Sequence, residues 1–299
     1  MSSNEHFGLL NLDKPGGVSS RAVVDQVVRL VRPLRAGHAG TLDPMATGVL
    51  VVCVGMATRL IPIVQQLAKG YLARFRLGWR SDTDDVTGEI EKSDAGADVT
   101  REQIEALLER FVGRIEQVPP KYSAVHVSGE RAYKLARQGR KVAIEPRTVE
   151  VYAVNLLSYS YPDLELQIEC GSGTYIRSIG RDLGELLGCG AVMSKLQRTH
   201  IGPFGCEAAI DPSRLTTENF VDSLLPAAAA VGDLPRYDCT PEEIGEIVHG
   251  RRFVCREESS FDDTAQVAVF DSTRQLACLA RFRADDGTLA PKQVFVKRG

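Results

Sequence analysis

Apolar residues recur along this chain with the two periods that distinguish helices from strands. After the capping candidates Ser19 and Ser20, five valines follow a helical spacing and predict an amphipathic helix (Val23, Val24, Val27, Val28 and Val31). The run from Gly48 to Gly55 is short, β-branched and closed by glycine, which predicts a buried strand. YLARFRLG, which starts at Tyr71, alternates like a strand with one face in water.

Further along, the pattern predicts three more helices and a hairpin of long strands. One helix spans roughly residues 58–67, and a second opens at the capping-box pair Thr100 and Gln103. Two long strands meet at the turn 161–163, which contains a proline. The segment 174–187 predicts a helix with its large apolar residues turned inward (Ile176, Ile179, Leu183 and Leu187).

The composition changes near residues 224–238, and the periodicity beyond them is that of a small, β-rich unit. A capped helix at 240–250 precedes three short strand patterns, VAVF, LACLARF and QVFV. Because strands and helices mix without regular βαβ alternation, the predicted fold class is α+β. We expect a large domain over residues 1–235 and a small, mainly β domain over residues 236–299, near the lower size limit for independence.

The composition of the 299 residues excludes several classes of protein. Apolar residues make up 43% and charged residues 25%, as in soluble globular proteins. No apolar run approaches the length of a membrane span, and the N-terminus lacks the pattern of a secretory signal. Seven cysteines without a C-x-x-C pair indicate a reduced cytoplasmic protein with neither a disulfide framework nor structural zinc.

The net charge of −3 hides a strong asymmetry between two segments. Residues 82–98 carry seven acids against one lysine, whereas residues 130–147 carry six basic side chains against two glutamates. A local basic face can hold phosphates whatever the whole-chain sum, but an ordinary solvated helix face accounts for the same charges. We expect the basic segment, about residues 120–148, to project from the core as an extended stretch and a short helix.

One carboxylate occupies an unusual setting in GHAGTLDPMATGVL, residues 37–50. Asp43 precedes a proline, which pushes it out of the helical region, and Gly40 and Gly48 permit tight turning on either side. The strand that follows gives the turn a rigid base. Such a carboxylate suits a nucleophile or a general base, although a structural surface turn would also bring these residues together.

Other chemical motifs fit the sequence poorly. RSDTDDVTGEI, from residue 80, has a D-x-D spacing, but Val86 stands where an EF-hand loop needs an oxygen ligand. GSGTYIRS, from residue 171, lacks the lysine of a phosphate-binding P-loop. The five histidines form no H-x-x-x-H pair, and no G-x-S-x-G occurs. Hydrolase and metalloenzyme classes are disfavoured, and a metal-dependent phosphatase built on DTDD remains a minor alternative.

Six blocks of sequence between residues 7 and 205 resemble, in order, those of the tRNA pseudouridine synthase B family, the tRNA pseudouridine-55 synthases. They are LDKPGGVSS, GHAGTLDPMATGVL, KGYLARFRLG, PPKYSAVHVSGERAYKLAR, GSGTYIRSIGRDLGELLGCGA and KLQRTHIGPF. The resemblance implies a pseudouridine synthase catalytic fold, with a central mixed, largely antiparallel sheet flanked by helices. It also implies an isomerase that breaks the N1–C1′ bond of the uridine at position 55, in the T-loop of tRNA, and rejoins the base through C5.

The same resemblance implies roles for individual residues. Asp43 matches the essential carboxylate, and whether it attacks ribose C1′, adds to the uracil ring or assists elimination through a glycal stays open. Arg177 matches the arginine that pairs with it. Tyr71 matches the tyrosine that stacks on the target base and is a candidate acceptor of the C5 proton. Tyr175 and Leu196 match residues that line the uracil pocket.

RNA binding is implied for three further regions. A stacked uridine must be swung out of its loop, and His38 matches the histidine that fills the vacated space. The basic segment would lie against the tRNA T-arm, and contacts are expected from five side chains (Arg59, Lys134, Arg137, Arg140 and Lys141). Residues 236–299 loosely resemble an RNA-binding, PUA-like domain. His126 and Arg59 depart from the family pattern, because lysine is expected at the first position and is frequent at the second.

No cofactor and no metal are implied, because the substrate bond energies are nearly conserved and a carboxylate suffices. Ala46 fits the stand-alone bacterial branch of the family better than its RNA-guided branch. We therefore expect a cytoplasmic monomer that binds the T-arm of tRNA, with no obligatory protein partner and no membrane contact. The alternative function is a tRNA-binding folding chaperone in which catalysis is secondary.

Overall fold

The structure is a computed structural model that describes residues 6–93, 99–123, 125–127, 129–132, 135, 138, 143–256 and 261–296. Its helices are α1 (Ser20–Leu30), α2 (Ile61–Gln66), α3 (Arg101–Leu108), α4 (Ile176–Leu186) and α5 (Pro241–Val248). The strands up to residue 131 are β1 (Gly8–Lys14), β2 (Ala36–His38), β3 (Thr47–Val54), β4 (Lys69–Leu77), β5 (Trp79–Ser81), β6 (Ile90–Lys92), β7 (Gly113–Gln117), β8 (His126–Val127) and β9 (Glu130–Arg131). The later strands are β10 (Arg147–Ser160), β11 (Asp163–Cys170), β12 (Ala191–Ile201), β13 (Phe204–Gly205), β14 (Arg236–Asp238), β15 (Phe253–Val254), β16 (Gln266–Phe270), β17 (Leu276–Arg283) and β18 (Thr288–Val294).

A nine-stranded sheet forms the centre of the molecule. Seven strands run in the order β1-β3-β12-β4-β11-β10-β7, while β13 pairs with β12 and β2 pairs with β3. All of these pairings are antiparallel except that of β12 with β3. The predicted α+β class, with a mixed and largely antiparallel sheet, is therefore confirmed. No helix in the described part of the chain is long and apolar enough to cross a membrane.

Local signals in the sequence set several helix ends. The Ser19 hydroxyl accepts from the Ala22 amide and caps α1, and Thr100 with Gln103 closes a capping box on α3, as predicted. The predicted helix 58–67 begins later, because residues 55–60 form a 3₁₀ turn and Pro62 then occupies the first turn of α2.

Helices cover both faces of the central sheet. Helix α4 buries Ile179 and Leu183 against β4 and β12, and α3 packs beside it with Ile104. Helix α1 places its valines on the other side, against the apolar residues of β1 and β3. The carboxyl end of β2 and the start of β3 are thereby held in the sheet, and the loop that contains Asp43 joins them.

A second sheet, of five strands, follows in the order β14-β16-β17-β18-β15, with α5 packed beside it. One apolar cluster joins this sheet to the central one, because Phe270, Leu279 and Phe295 lie in it together with Val51 and Leu60. We name it the joint cluster. The division at residues 235 and 236 stays a prediction, and the second sheet also has an apolar cluster of its own, which contains Tyr237, Val267 and Phe282.

Candidate active site

Hydrogen bonds between two buried side chains, Ser20 and Lys14, and the main chain hold the loop that carries Asp43. The buried Ser20 hydroxyl accepts from the Leu42 amide at 2.8 Å and lies 3.1 Å from the Leu42 carbonyl oxygen. Lys14, which is fully buried, donates from Nζ to the carbonyl oxygens of Pro15 (2.8 Å), Val18 (2.7 Å) and Pro44 (3.2 Å). The buried amine gives the Pro15 and Val18 carbonyls a partner and is a second donor to the Pro44 carbonyl, which also accepts from the Gly17 amide. The loop is therefore rigid on both sides of the carboxylate.

Two glycines allow the loop its shape. Gly40 has φ 121° and Gly48 has φ 96°, a region that other residues rarely adopt. Gly48 also lies against the backbone of Arg198, so that a Cβ at this position would collide with the neighbouring strand. The sequence interpretation of both glycines is thus confirmed, and it explains how β3 approaches β12 so closely beside Asp43.

Arg177 grips the Asp43 carboxylate in a fork. Its Nε lies 3.0 Å from Asp43 Oδ2, and its Nη2 donates to Asp43 Oδ1 at 3.2 Å. The guanidinium is also fixed by the main chain, because Nη1 donates to the Thr83 oxygen at 2.9 Å and Nη2 to the Tyr122 oxygen at 3.2 Å. The arginine side chain is only 6% exposed and the aspartate 33% exposed. One face of the carboxylate therefore stays open to a ligand.

A second carboxylate, Asp85, lies on the far side of the guanidinium. Its Oδ2 is 3.7 Å from Arg177 Nη1, and its Oδ1 accepts from the Thr83 hydroxyl at 2.8 Å and the Thr87 amide at 2.9 Å. Asp84, next to it, pairs with Arg181 at 3.0 Å. Two carboxylates of the DTDD stretch thus face protein cations, which favours the acidic-loop interpretation over a metal site. Asp85 was missed by sequence reasoning.

The electrostatic setting raises the pKa of Asp43 above its ordinary value. Burial is the largest cause and Asp85 adds to it, whereas Arg177 and Lys14 act in the opposite direction. A carboxylate in this setting is a stronger base than one in water, while the arginine fork favours its charged form. The arrangement suits either a nucleophile or a base.

A cavity of about 1160 Å³ opens above the carboxylate. All six residues that the sequence assigned to the substrate pocket line it (His38, Asp43, Tyr71, Tyr175, Arg177 and Leu196). Tyr71 on β4 and Leu196 on β12 are each 7% exposed, so they form part of its floor. The structure therefore brings together residues that are far apart in the chain.

Tyr71 lies beside a buried arginine that the sequence analysis did not select. Arg198 stands opposite Tyr71 across the β4–β12 pair, is 1% exposed, and donates to the carbonyl oxygens of Val49 (2.7 Å) and Gly40 (3.2 Å). Burial raises the pKa of the Tyr71 hydroxyl, and Arg198 partly opposes this. The phenol is therefore neutral at physiological pH, with a fixed cation close to its oxygen.

Tyr175 is held at the N-terminus of α4 by two neighbours. The side-chain amide of Gln117, itself 1% exposed, accepts from the Tyr175 amide at 2.7 Å and donates to its carbonyl at 3.0 Å. The Arg147 guanidinium lies 4.7 Å from the centre of the Tyr175 ring, a cation–π distance, and donates to the Gly173 oxygen. Because Gln117 holds Tyr175 extended, α4 begins at Ile176 rather than at Thr174.

The remaining predicted residues lie in different settings. His38 ends β2 at the cavity wall, and burial, followed by the Arg198 charge, lowers its pKa and keeps the imidazole neutral. Arg59 donates to the Val294 oxygen at 2.6 Å, in the second sheet, and does not line the cavity. Four residues predicted to contact RNA lie outside the described residues (Lys134, Arg137, Arg140 and Lys141). The side chain of His126 is also outside the described part of the structure.

Comparison with known proteins matches two family descriptions and many relatives. The "TruB family pseudouridylate synthase (N terminal domain)" matches residues 28–176, and the "tRNA pseudouridylate synthase B C-terminal domain" matches residues 177–232. A Dehalococcoides mccartyi protein named tRNA pseudouridine synthase B is 41% identical over 97% of this chain and 96% of its own length. A Xanthomonas campestris pv. campestris protein of the same name is 40% identical over 96% of this chain and 94% of its own.

Solved structures agree with these matches. One chain from the "Crystal Structure of a Cbf5-Nop10-Gar1 Complex" superposes with a TM-score of 0.77 and 26% identity, covering 99% of this chain and 87% of that chain. Another, from the "Structure of H/ACA RNP bound to a substrate RNA containing 2'-deoxyuridine", has a TM-score of 0.75 and 25% identity, over 98% and 86%. Fold and sequence together define an isomerase of the pseudouridine synthase class. The chain belongs to the TruB family of pseudouridylate synthases.

Proposed function

We propose that this chain converts the uridine at position 55 of tRNA, in the T-loop, into pseudouridine, with Asp43 as the essential carboxylate. The observation that carries the proposal is the Asp43–Arg177 fork at the base of a cavity lined by Tyr71, Tyr175 and Leu196. Family membership supports the reaction, and the relatives' shared name supports tRNA as the substrate.

The residues divide the work of isomerisation among them. Each chemical route requires an ionised carboxylate near the ribose and the base, and Arg177 keeps Asp43 charged and oriented as the reacting groups approach. Tyr71 stacks on the uracil ring, and it can accept the C5 proton after the base has been reattached only as the phenolate, which the neighbouring Arg198 charge favours. Leu196 and Tyr175 enclose the base and keep water from the broken glycosidic bond.

A T-loop uridine reaches Asp43 only after leaving its stack, at a cost of a few kcal/mol. His38 offers a flat, uncharged ring at the rim of the cavity, and it fills the space that the base leaves. The basic segment 120–148 and the small domain 236–299 bind the T-arm through shape and phosphates. Lys134, Arg137, Arg140, Lys141 and Arg59 supply these phosphate contacts in this proposal.

The enzyme acts in the cytoplasm as a monomer, without a protein partner, a metal or another cofactor, in this proposal. The support is chemical: a carboxylate, an arginine and a tyrosine suffice for a reaction that conserves bond energy. The Cbf5 neighbours come from complexes with other proteins, as their titles state, whereas the near-complete match to tRNA pseudouridine synthase B relatives favours a stand-alone enzyme.

An assay on an unmodified T-arm transcript tests the proposal. Tritium at C5 of its uridines is released to water only when the base is reattached through C5, and digestion of the product locates the modified position. We expect full release in chelator with the parent protein, none with Asp43→Asn, and parental release with Asp163→Asn. Asp163 is a matched control, because this exposed aspartate also pairs with an arginine, Arg76, but lies far along β11.

Three outcomes of this assay are informative. Release from a transcript that lacks the T-loop uridine would refute the assigned position. Release by Asp43→Asn would refute the essential carboxylate. If Asp43→Asn binds tRNA normally and still promotes its folding, the chaperone alternative gains support, and catalysis is separable from binding.

A further inference from the structure

Helix α4 clamps two irregular segments beside the proposed catalytic pair. The first, residues 81–87, is named here the acidic turn, and the second, residues 118–123, is named the root segment because it leads into the basic segment. Arg177 donates to one main-chain oxygen in each of them. The orientation of the Arg177 guanidinium therefore depends on where both segments lie.

Arg181, one helical turn after Arg177, contacts the same two segments. Its Nη1 lies 3.0 Å from Asp84 Oδ2 in the acidic turn, and its Nη2 donates to the Val118 oxygen of the root segment at 2.9 Å. Its Nε donates to Asp182 Oδ1 at 2.8 Å, so each of its nitrogens is engaged. The side chain is 22% exposed and that of Asp84 14% exposed, and a pair so shielded is worth more than an ion pair in open water.

The backbone conformation of Asp84 explains why the Arg181–Asp84 ion pair can affect its neighbours. Asp84 has φ 61°, a left-handed conformation that costs a residue with a side chain free energy and persists only where its surroundings hold it. Its two chain neighbours, Thr83 and Asp85, are the groups of the acidic turn that face Arg177. A release of the Asp84 carboxylate would therefore move both of them.

We propose that Arg181 is a positioning residue for the isomerisation, because it fixes the acidic turn and the root segment that together orient Arg177 against Asp43. Arg181 does not line the cavity and touches no reacting atom. The inference rests on the proposed function, since it concerns the geometry of the proposed carboxylate. Arg181 would thus influence the reaction through the side chain of Arg177.

A double-mutant cycle separates positioning from general support of the fold. Arg181→Met should lower the single-turnover rate about tenfold in the parent and by less than about twofold in an Arg177→Met background, because the orientation it secures is then already lost. Affinity for tRNA should stay within about twofold. Arg101→Met is the matched control: this exposed arginine of α3 pairs with Glu105 at 2.8 Å and should leave the rate unchanged. Equal losses in both backgrounds, or no loss, would overturn the inference.

Titration of the Asp43 carboxyl by carbon NMR supplies a readout that needs no turnover. Arg181→Met should raise the pKa of Asp43 part of the way to its value in Arg177→Met, and the double variant should show no further rise. Among the residues that the structure describes, the charged groups that act on Asp43 are Arg177, Asp85 and Lys14, and none of them is altered chemically by this substitution. An unchanged titration would overturn the inference, whereas a parent protein that releases no tritium would refute only the proposed function.

Asp84→Asn provides a second variant if Arg181→Met fails to fold. Asparagine tolerates the left-handed backbone, so this change removes the charge of the carboxylate while leaving the turn its conformation. It should reproduce the loss of rate and the rise of the Asp43 pKa in smaller measure. Parental values for both would contradict the role of this contact.

Discussion

Replacement of Arg177 by methionine tests the centre of the site, because one change removes the partner of two carboxylates. Two charge-assisted hydrogen bonds join Arg177 to Asp43, and each such bond is worth roughly 1.5–3 kcal/mol. Loss of one of them from the transition state lowers the rate by roughly ten- to a hundredfold, since about 1.4 kcal/mol corresponds to a factor of ten. We expect the rate to fall at least this far in Arg177→Met, while tRNA affinity changes little.

The same substitution should destabilise the fold, for a reason that can be isolated. Asp85 is 5% exposed and would be left as a buried charge without its cation, which typically costs roughly 3–5 kcal/mol. The double variant Arg177→Met with Asp85→Asn removes that charge, so it should recover most of the free energy of unfolding without recovering turnover. Arg74→Met, which breaks an exposed pair with Glu165, should change stability by less than about 1 kcal/mol.

Chemical denaturation gives the free energy of unfolding, and single-turnover tritium release gives the rate. Folded Arg177→Met protein that reacts within about twofold of the parent would refute the role of the fork. A loss of tRNA affinity as large as the loss of rate would show that Arg177 binds RNA rather than orienting Asp43. Failure of the double variant to regain stability would show that Asp85 is not the destabilising charge.

Three further results are expected. Burial raises the pKa of Asp43 above the ordinary aspartate value of about 3.9. The single-turnover rate should therefore fall as the pH decreases through a value above this one. A fall in rate only at or below the ordinary aspartate pKa would contradict the prediction. Lys14→Met leaves the Pro15 and Val18 carbonyls without their amine donor and takes one of two donors from the Pro44 carbonyl, so it should cost about 2 kcal/mol or more in urea unfolding and lower the rate. Substitution of Lys134 and Arg137 by alanine should weaken tRNA binding and reduce the salt slope by up to about one unit per lost phosphate contact. An unchanged slope would mean that neither side chain contacts RNA.

Local features of this fold could be predicted from the sequence, because their causes lie within a few residues. The Ser19 cap, the Thr100 capping box and the alternating pattern of β4 are examples. The start of α2 was placed too early, because a 3₁₀ turn and an α-helix share nearly the same apolar spacing over one turn. Helix caps and alternating strands of this kind depend on residues that are close in the chain, so the local sequence is sufficient to predict them.

The active site depends on contacts between distant parts of the chain, which periodicity does not reveal. Asp43 and Arg177 are separated by 134 residues, and their pairing was predicted only from family resemblance. Asp85 and Arg198 were missed because a carboxylate among acids resembles a solvated loop, and an arginine on a strand resembles a surface residue. Only the packing of β12 against β4, and of α4 against the acidic turn, buries them beside their partners. Neither residue is marked locally, because Asp85 follows other acids and Arg198 lies among the polar residues of KLQRTH.

The joint cluster makes the terminal sheet a fixed part of the molecule rather than a tethered attachment. With Phe270 and Phe295 embedded beside Val51, rotation of that sheet would expose apolar surface to water. Surfaces on the two sheets that face RNA therefore stay at a constant distance from each other. A chain cut after residue 235 would expose one side of Val51 and Leu60 to water. Its solubility should therefore fall, because apolar residues of the joint cluster would become part of the surface.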